Sequence, residues 1–370
     1  MRRSNLRSSL FSSSLIVVFL AAVGCAADPP GQGDGGPMGG TGGGGGSSSP
    51  PGPGLPVPPG PDNVPKPAGT AGNLKVLDWA GFKSAVTYTF DDAQPSQVEH
   101  YAELQATGVR HTFYVTSGNG GFDTAFTQAV KDGHEMGNHT VRHCHADLTG
   151  CSNTSSAPVS IDAELDDCNN YIATHLGQSV VWTAASPFGD TGWDAPDMTR
   201  FFLNRGVGSG TIGPNDNSDP FNLPCHAAVE GEAVASFNAV IDDVEARARW
   251  AIFLVHTIAP TSQNWYAPID VSVITDSVAH AKSLGDAWID SMVNVGAYWR
   301  GQKLVSAATP TAAGGGQTWT WKRPTGFPPG RVLRVTVDGG TLSQNGTALT
   351  WDPHGYYEIS LDAESLTLSP

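Results

Sequence analysis

The stretch AVTYTFDDA (residues 85–93) is a β-branched and aromatic run that ends in two adjacent aspartates, Asp91 and Asp92. Successive side chains of a strand point to opposite faces, and neighbouring carboxylates repel each other. The pair therefore marks either a solvated strand end or a site that holds both charges. Strand-like and helix-like segments alternate on both sides of this stretch. Such alternation predicts parallel strands with crossover helices, in a barrel or in a doubly wound sheet.

The alternating segments define a main domain over residues 72–308. The predicted strands are AVTYTF (85–90), HTFYVT (111–116), HEMGNHT (134–140), SVVWTAAS (179–186), AIFLVHTI (251–258) and WIDSMV (288–293). The predicted helices cover residues 96–107, 122–132, 161–175, 195–205, 269–283 and 294–303. Residues 309–370 change to short alternating strands with Gly and Pro turns, which predict a small β-sandwich-like module.

The first 25 residues predict an export signal. Three arginines precede the apolar core LIVVFLAAVG (15–24), which is too short to span a bilayer. The sequence AVGC ending at Cys25 resembles a bacterial lipoprotein box, whose cysteine becomes lipidated, and an ordinary secretory signal is the alternative. Residues 26–71 are rich in Gly, Pro and Ser and predict a linker. The chain is thus expected in the bacterial cell envelope, held at the outer membrane or cell surface through Cys25, or otherwise secreted.

Charge and cysteine content narrow the class of protein. The 370 residues contain 20 Lys and Arg against 35 Asp and Glu, and no basic cluster lies beyond the N-terminal arginines. This distribution argues against nucleic acid as a partner. Apart from Cys25 there are four cysteines, and an even number in an exported protein predicts two disulfides with three alternative pairings. We favour Cys144–Cys151 with Cys168–Cys225, because the first two cysteines are close enough in sequence for a small loop.

A second stretch, GHEMGNHTVRH (133–143), places His139 and His143 four residues apart. On a helical turn this spacing puts two imidazoles on one face, where they can share a metal ion. Gly137 and Asn138 indicate a turn at a strand end, where the loops of parallel α/β folds carry their sites.

Together, TFDDA and GHEMGNHTVRH resemble the first two motifs of the polysaccharide deacetylase family, the NodB-homology carbohydrate esterases. The resemblance covers about residues 75–305 and implies a distorted, incomplete (β/α) barrel. It implies that Asp91 is the general base and that Asp92, His139 and His143 bind a divalent metal, Zn²⁺ first with Co²⁺ or Ni²⁺ as alternatives. Such a metal lowers the pKa of water and polarises the acetyl carbonyl while Asp91 accepts a proton.

The third motif of the family is an arginine followed shortly by Pro-aromatic-Gly. Residues 184–190 read AASPFGD, so Pro187, Phe188 and Gly189 are kept, and the resemblance implies that the Phe188 N–H is an oxyanion donor. Ala185 stands about where the arginine is expected. Without that cation the pKa of Asp91 should be higher, and another group must orient its carboxylate. Asp190 or a different arginine is the candidate.

The run Leu254-Val255-His256 resembles the last motif of the family and implies that His256 is the general acid. The Asp-Trp element that orients this histidine in the family is not evident. Three aspartates are candidates for the same role: Asp216, Asp219 and Asp270.

Aromatic residues near the motif ends are candidates for contacts with sugar rings. Trp193, Trp265 and Tyr266 could offer flat apolar faces, and ordinary packing is the alternative. The remaining histidines near the motifs are expected to be structural: His111, His134 and His145.

These observations predict a metal-dependent hydrolase that removes acetyl groups from a carbohydrate polymer. The resemblance favours N-deacetylation of N-acetylglucosamine-type residues, as in peptidoglycan or chitin, with O-deacetylation of an acetylated polysaccharide as the nearest alternative. A non-catalytic carbohydrate-binding lipoprotein, using its β-rich C-terminus, is a third hypothesis.

Overall fold

The structure is a computed structural model that describes residues 54–153, 160–263, 265–313 and 315–370. The predicted signal with Cys25, and the predicted linker up to residue 53, lie outside the described residues. Within the described ranges, no helix combines the length and the apolar character that crossing a membrane requires.

A closed barrel of parallel strands forms the centre of the fold. After the short strand β1 (Lys75–Val76), the seven barrel strands are β2 (Ser84–Phe90), β3 (Thr112–Val115), β4 (Glu135–Asn138), β5 (Thr183–Ala185), β6 (Leu203–Ser209), β7 (Leu223–Ala227) and β8 (Trp250–Val255). They pair in this order, and β2 also pairs along its length with β8, which closes the barrel. Seven strands stand where a complete (β/α) barrel has eight. The predicted incomplete barrel is confirmed.

Helices and short strands surround the barrel. The helices are α1 (Pro95–Glu99), α2 (Tyr101–Ala106), α3 (Asp123–Lys131), α4 (Ile161–Tyr171), α5 (Asp194–Asp197), α6 (Val234–Arg247), α7 (Val271–Leu284) and α8 (Met292–Ala307). The next strands are β9 (Ile258–Ala259), β10 (Ile269–Asp270) and β11 (Ala287–Ile289). β11 pairs with the first residues of β2 while β3 pairs with its last two, so β11 fills the gap below β3.

The helix predicted over residues 195–205 is wrong. After α5 the chain turns, with the N–H groups of Arg200 and Phe201 both donating to the Asp197 carbonyl. The backbone of β6 then pairs with β5 and β7, so pairing in the sheet overrides the local helical pattern. β7 itself was not predicted, because its sequence LPCHA is short and includes a proline.

Period-two alternation along the strands separates two apolar layers. Side chains on the inner face fill the barrel, and they include Ala85, Tyr114, Leu203, Leu223, Trp250 and Ile252. Side chains on the outer face pack against the helices, and they include Val86, Tyr88, Phe113, Met136, Phe253 and Val255.

Residues after α8 form two antiparallel sheets. The strands are β12 (Thr311–Ala313), β13 (Gly316–Thr320), β14 (Val332–Thr336), β15 (Thr341–Gln344), β16 (Thr347–Ala348), β17 (Trp351–Asp352), β18 (Tyr356–Ser360) and β19 (Ser365–Ser369). One sheet has the order β1-β14-β18-β17 and the other β12-β13-β19-β15-β16. The predicted all-β module is therefore present, and β1 adds a strand to it from the other end of the domain.

The C-terminal sheets share an apolar core with the barrel. At Gly301 in α8, an added Cβ would lie 2.4 Å from Leu361 Cδ1, so the absence of a side chain lets the helix and the sheets approach closely. Leu333, Leu361 and Trp319 belong to the same buried cluster as Trp250 in the barrel. The module is thus joined to the barrel through α8.

Residues 54–71 fall in the predicted linker, but they lie against the C-terminal sheets. Their carbonyl and N–H groups find partners there: Arg334 Nη1 donates to Pro56 O over 2.8 Å, and Val64 N donates to Pro353 O over 2.8 Å. Proline lacks an N–H donor but keeps its carbonyl acceptor, so hydrogen bonds can still hold a Pro-rich segment in place.

Of the predicted disulfides, Cys144–Cys151 is formed and Cys168–Cys225 is wrong. Cys168 belongs to the layer between the barrel and the helices, and its thiol donates to Val115 O over 3.2 Å. Cys225 belongs to the inner core, and its thiol donates to Gly206 O over 3.5 Å. The barrel wall separates the two thiols.

Candidate active site

The carboxyl ends of the barrel strands meet at one cavity of about 520 Å³. Residues following β2, β4, β5, β7 and β8 contribute to its wall, as expected where parallel strands end together. The lining residues are Asp91, Asp92, His139, His143, Ser152, Ser186, Phe188, Val207, Ala227, Ala228, Val229, Leu254, His256 and Tyr266.

Three of these residues could hold a metal ion. One carboxylate oxygen of Asp92 and one ring nitrogen each of His139 and His143 lie within 4.8 Å of one another. Asp92 Oδ1 is 3.5 Å from the Nε2 atom of each histidine. His139 Nδ1 donates to the Ala185 carbonyl over 2.7 Å, which orients the ring with Nε2 facing Asp92. A set of one carboxylate and two imidazoles fits a divalent ion such as zinc.

The surroundings of these residues shift their protonation. Burial favours the neutral Asp92 carboxyl, but the hydrogen bond and charge of His139 outweigh it and hold the pKa of Asp92 below its usual range. Burial, helped by the charge of His139, lowers the pKa of His143 to about 4. His143 is thus neutral near pH 7, and the neutral imidazole is the form that binds metals.

Asp91 is held by Arg205 of β6, whereas the third motif led us to expect an arginine near Ala185 in β5. Arg205 Nη2 donates to Asp91 Oδ2; the arginine is fully buried, and Asp91 is only 2% exposed. Arg205 Nη1 donates to Gly206 O over 2.9 Å, and its guanidinium lies 5.2 Å from the Tyr114 ring centroid.

Arg205 lies directly beside the position that lacks an arginine. In the register of β5 and β6, Ala185 and Arg205 are paired, so both side chains project from the same face of the sheet. The arginine that contacts Asp91 therefore lies one strand along the barrel from Ala185, at the same level. Sequence reasoning missed it because it placed residue 205 at the end of a helix. The alternation of Leu203, Arg205 and Val207 is the period-two signal that could have identified β6.

Two buried polar atoms at the cavity have no hydrogen-bond partner among the described residues: Asp91 Oδ1 and His256 Nδ1. The His256 ring meets the Tyr266 ring edge-on, with centroids 4.9 Å apart. Burial lowers the pKa of His256. His256 thus lies on the same cavity as the aspartate pair.

None of the three aspartates considered as partners of His256 binds it. Asp216 accepts from Gly213 N and pairs with Arg249, Asp219 accepts from Phe221 N over 2.9 Å, and Asp270 caps α7 by accepting from Ser272 N over 2.9 Å. Asp190, the other candidate for contacting Asp91, instead pairs with His145 over 2.9 Å.

The segment Pro187–Gly189 forms a tight turn beside the metal-binding candidates. Phe188 has a φ of 57°, and its ring lies 4.6 Å from the His143 ring and 4.0 Å from the His145 ring. The N–H groups of Gly189 and Asp190 donate back to Ser186 and Pro187, which stabilises the turn. Positive φ values also occur at Asp92 and His143, and such strained backbone clusters at functional sites.

The three aromatic residues predicted to contact sugar rings differ in solvent exposure. Trp193 is completely buried in the layer between barrel and helices, so a stacking role does not fit it. Trp265 is exposed but is not among the residues that line the cavity. Tyr266 is 71% exposed and lines the cavity.

The rim of the cavity is apolar. Phe188, Val207, Val229 and Tyr266 are exposed and line it, and the C-terminal sheets present no comparable aromatic surface among the described residues. A cluster of exposed apolar side chains of this kind marks a binding surface.

Comparisons with known proteins agree with the motifs. Residues 81–200 match the family model described as polysaccharide deacetylase. The comparison with curated proteins gave no significant match.

Several solved structures are similar to the chain. One is the Xyl-CE4 domain of a multidomain xylanase from the hindgut metagenome of Trinervitermes trinervoides, with 15% identity over 57% of this chain and 89% of that chain, and a TM-score of 0.36. A family 4 acetyl xylan esterase from Clostridium thermocellum, in complex with a cobalt ion, has 15% identity, covers 57% and 90%, and has a TM-score of 0.37. A polysaccharide deacetylase from Bacillus cereus has 18% identity, covers 56% and 91%, and has a TM-score of 0.38.

Proposed function

We propose that the chain, whose residues 81–200 match the polysaccharide deacetylase family model, is a metal-dependent hydrolase that removes acetyl groups from a carbohydrate polymer. The observation that carries the proposal is the convergence of Asp91, Asp92, His139, His143 and His256 on one cavity. N-acetylglucosamine-type residues are the first candidate substrate, and an O-acetylated polysaccharide is the second.

Asp92, His139 and His143 would hold the metal. A divalent ion bound there supplies a Lewis acid that activates water and polarises the acetyl carbonyl. The ion proposed is Zn²⁺, with Co²⁺ or Ni²⁺ as alternatives that the same donor types accept. His139 is oriented for this role by its bond to Ala185 O, and His143 by its contact with Ser152 Oγ at 3.1 Å.

Asp91 would act as the general base. Arg205 occupies Oδ2, so Oδ1, which has no hydrogen-bond partner among the described residues, is the oxygen left to accept a proton from the attacking water. As the water oxygen bonds to the acetyl carbon, the carbonyl oxygen gains negative charge. The N–H of Phe188 is the proposed donor to that oxygen.

His256 would act as the general acid. Breaking the bond between the acetyl carbon and the sugar nitrogen or oxygen leaves an amine or hydroxyl that takes a proton from the protonated His256 imidazole, and acetate departs. His256 directly follows β8 and lines the same cavity as the aspartate pair. The apolar rim of Phe188, Val207, Val229 and Tyr266 would contact the sugar rings, whose C–H faces suit such surfaces.

The proposal is tested by measuring acetate release by the purified full chain from chitooligosaccharides, peptidoglycan and acetylxylan. Chelator should abolish release, added Zn²⁺ should restore it, and Asp92→Ala should remove it. Relative rates on the three substrates distinguish N- from O-deacetylation. No release from any substrate, or release that neither chelator nor Asp92→Ala changes, would refute the proposal.

We further propose that the chain is exported and anchored in the cell envelope through a lipidated Cys25. The support is the arginine-rich start, the short apolar core and the cysteine that follows it. Membrane association should be lost in Cys25→Ser, and association unchanged in that variant would contradict the anchor.

A further inference from the structure

A disulfide-closed loop lies between two walls of the cavity. Cys144 directly follows His143, Cys151 directly precedes Ser152, and the Cα atoms of the two cysteines are only 3.9 Å apart. Ser152 N donates to Arg142 O over 3.0 Å, which holds the end of the loop against its start. We call residues 144–151 the disulfide loop.

On one side the disulfide loop reaches a candidate metal ligand. It returns the chain to His143, where Ser152 Oγ lies 3.1 Å from Nδ1. Asp92 faces the other ring nitrogen, Nε2. The group bound to one nitrogen of an imidazole fixes the orientation of the ring and the tautomer that the other nitrogen offers. Ser152 thus stands in the position from which ligand geometry is set.

On the other side the disulfide loop reaches the turn Pro187–Gly189. The His145 ring stacks on the Phe188 ring, with centroids 4.0 Å apart and an interplanar angle of 18°. Asp190 Oδ2 accepts from His145 Nδ1 over 2.9 Å and from Ala146 N over 3.1 Å. These contacts tie the loop to the turn by two hydrogen bonds to Asp190 and a ring stack.

We propose that the disulfide loop is a positioning element, in which Ser152 orients His143 for metal binding while His145 and Asp190 hold the turn that carries Phe188. The inference rests on the proposed function and deepens it. A cross-link between residues seven positions apart closes a short loop, so it constrains the unfolded chain less than a long-range cross-link would. Its main effect is local: it holds two walls of the site at one spacing.

The test of the first contact is zinc affinity, measured without substrate by competition with a chromophoric chelator. In Ser152→Ala, and in Cys144→Ser combined with Cys151→Ser, the Kd for Zn²⁺ should rise about 10- to 100-fold, the range expected when the partner of a ligating histidine is removed. One control should keep the wild-type Kd: Ser283→Ala, an exposed serine near the end of α7 whose hydroxyl donates to His280 O and which does not line the cavity.

The test of the second contact is steady-state kinetics. Asp190→Asn should leave the Kd for Zn²⁺ unchanged and lower kcat about 10-fold or more, because a misplaced turn misplaces the oxyanion donor. Wild-type zinc affinity in Ser152→Ala, with wild-type kcat in Asp190→Asn, would overturn the inference. Should the double cysteine variant not fold, Ser152→Ala alone decides the first contact. A wild-type chain that binds no zinc would instead refute the proposed metal dependence, which keeps the two failures distinguishable.

Discussion

Replacing Arg205 by alanine is the sharpest perturbation of this site. The substitution leaves Asp91 nearly buried, with Oδ1 already unpartnered among the described residues and Oδ2 now without its donor. His139 Nε2, a candidate metal ligand, remains 3.7 Å from Oδ2. Both the stability of the fold and the orientation of the proposed base should suffer.

The magnitude follows from the burial of the pair. Breaking a buried ion pair by removing one partner costs about 3–5 kcal/mol, because a charge is left without compensation. A general base contributes about 10²- to 10⁴-fold to a rate. If about 3 kcal/mol of the lost interaction is felt in the transition state, kcat/KM falls roughly 150-fold.

The assay is acetate release together with the urea unfolding midpoint. Arg334→Ala is the matched control, since Arg334 is equally buried but binds Pro56 O and Ala80 O, away from the cavity. It should lower the midpoint and leave kcat/KM unchanged.

The rescue variant exchanges the arginine between paired positions. Ala185→Arg combined with Arg205→Ala conserves volume and restores a cation on the same face of the sheet, one strand spacing (about 4.8 Å) away. Activity should recover partly. Arg205→Ala with wild-type kcat/KM and an unchanged midpoint would refute the reasoning.

Three further outcomes are expected. Val207→Ser and Val229→Ser should each raise KM about fivefold because apolar contact with the substrate is lost. Val180→Ser, which is as exposed as Val207 but lies outside the cavity lining, should leave KM unchanged; equal effects of all three would contradict a role of the rim. Burial lowers the pKa of His134 to about 4, below the unfolded value of about 6.5. The free energy of unfolding should therefore fall by up to about 1.4 kcal/mol per pH unit as the pH drops from 6.5 toward 4. In His134→Gln the urea midpoint should depend less steeply on pH over this range, and an unchanged slope would count against the reasoning. Leu361→Ala should lower the free energy of unfolding by about 2–5 kcal/mol, because Leu361 belongs to the core that the barrel shares with the C-terminal sheets. Unfolding should remain a single transition and KM should not change; a separate transition of the C-terminal sheets would show that they fold independently.

Many residues of the candidate site can be recognised from local sequence, because sites in parallel barrels lie at the carboxyl ends of the strands. The apolar run before Asp91 and Asp92, and the turn before His139, mark strand ends that meet at one side of any parallel barrel. The general acid candidate His256 follows β8 in the same way. These residues could therefore be assigned from short stretches of chain together with a family resemblance.

Other parts of the site depend on contacts between residues distant in sequence. Arg205 lies 114 positions from Asp91, and only the pairing of β5 with β6 places it beside Ala185 and within reach of Asp91. The barrel wall between Cys168 and Cys225 rules out a bond that counting cysteines allowed. Trp193, placed near a motif by the sequence, is buried by the packing of the helices.

The choice of a barrel over a doubly wound sheet came from the family resemblance. The sequence by itself determined the alternating α/β class, the strand ends that bear the two aspartates and the histidines, and the β-rich end of the chain. It could do so because strand periodicity and turn residues act over a few positions. The tertiary structure alone decided which cation holds Asp91, which cysteines pair, and which apolar side chains remain exposed at the cavity. Those outcomes depend on register and burial, which are set only when distant segments come together.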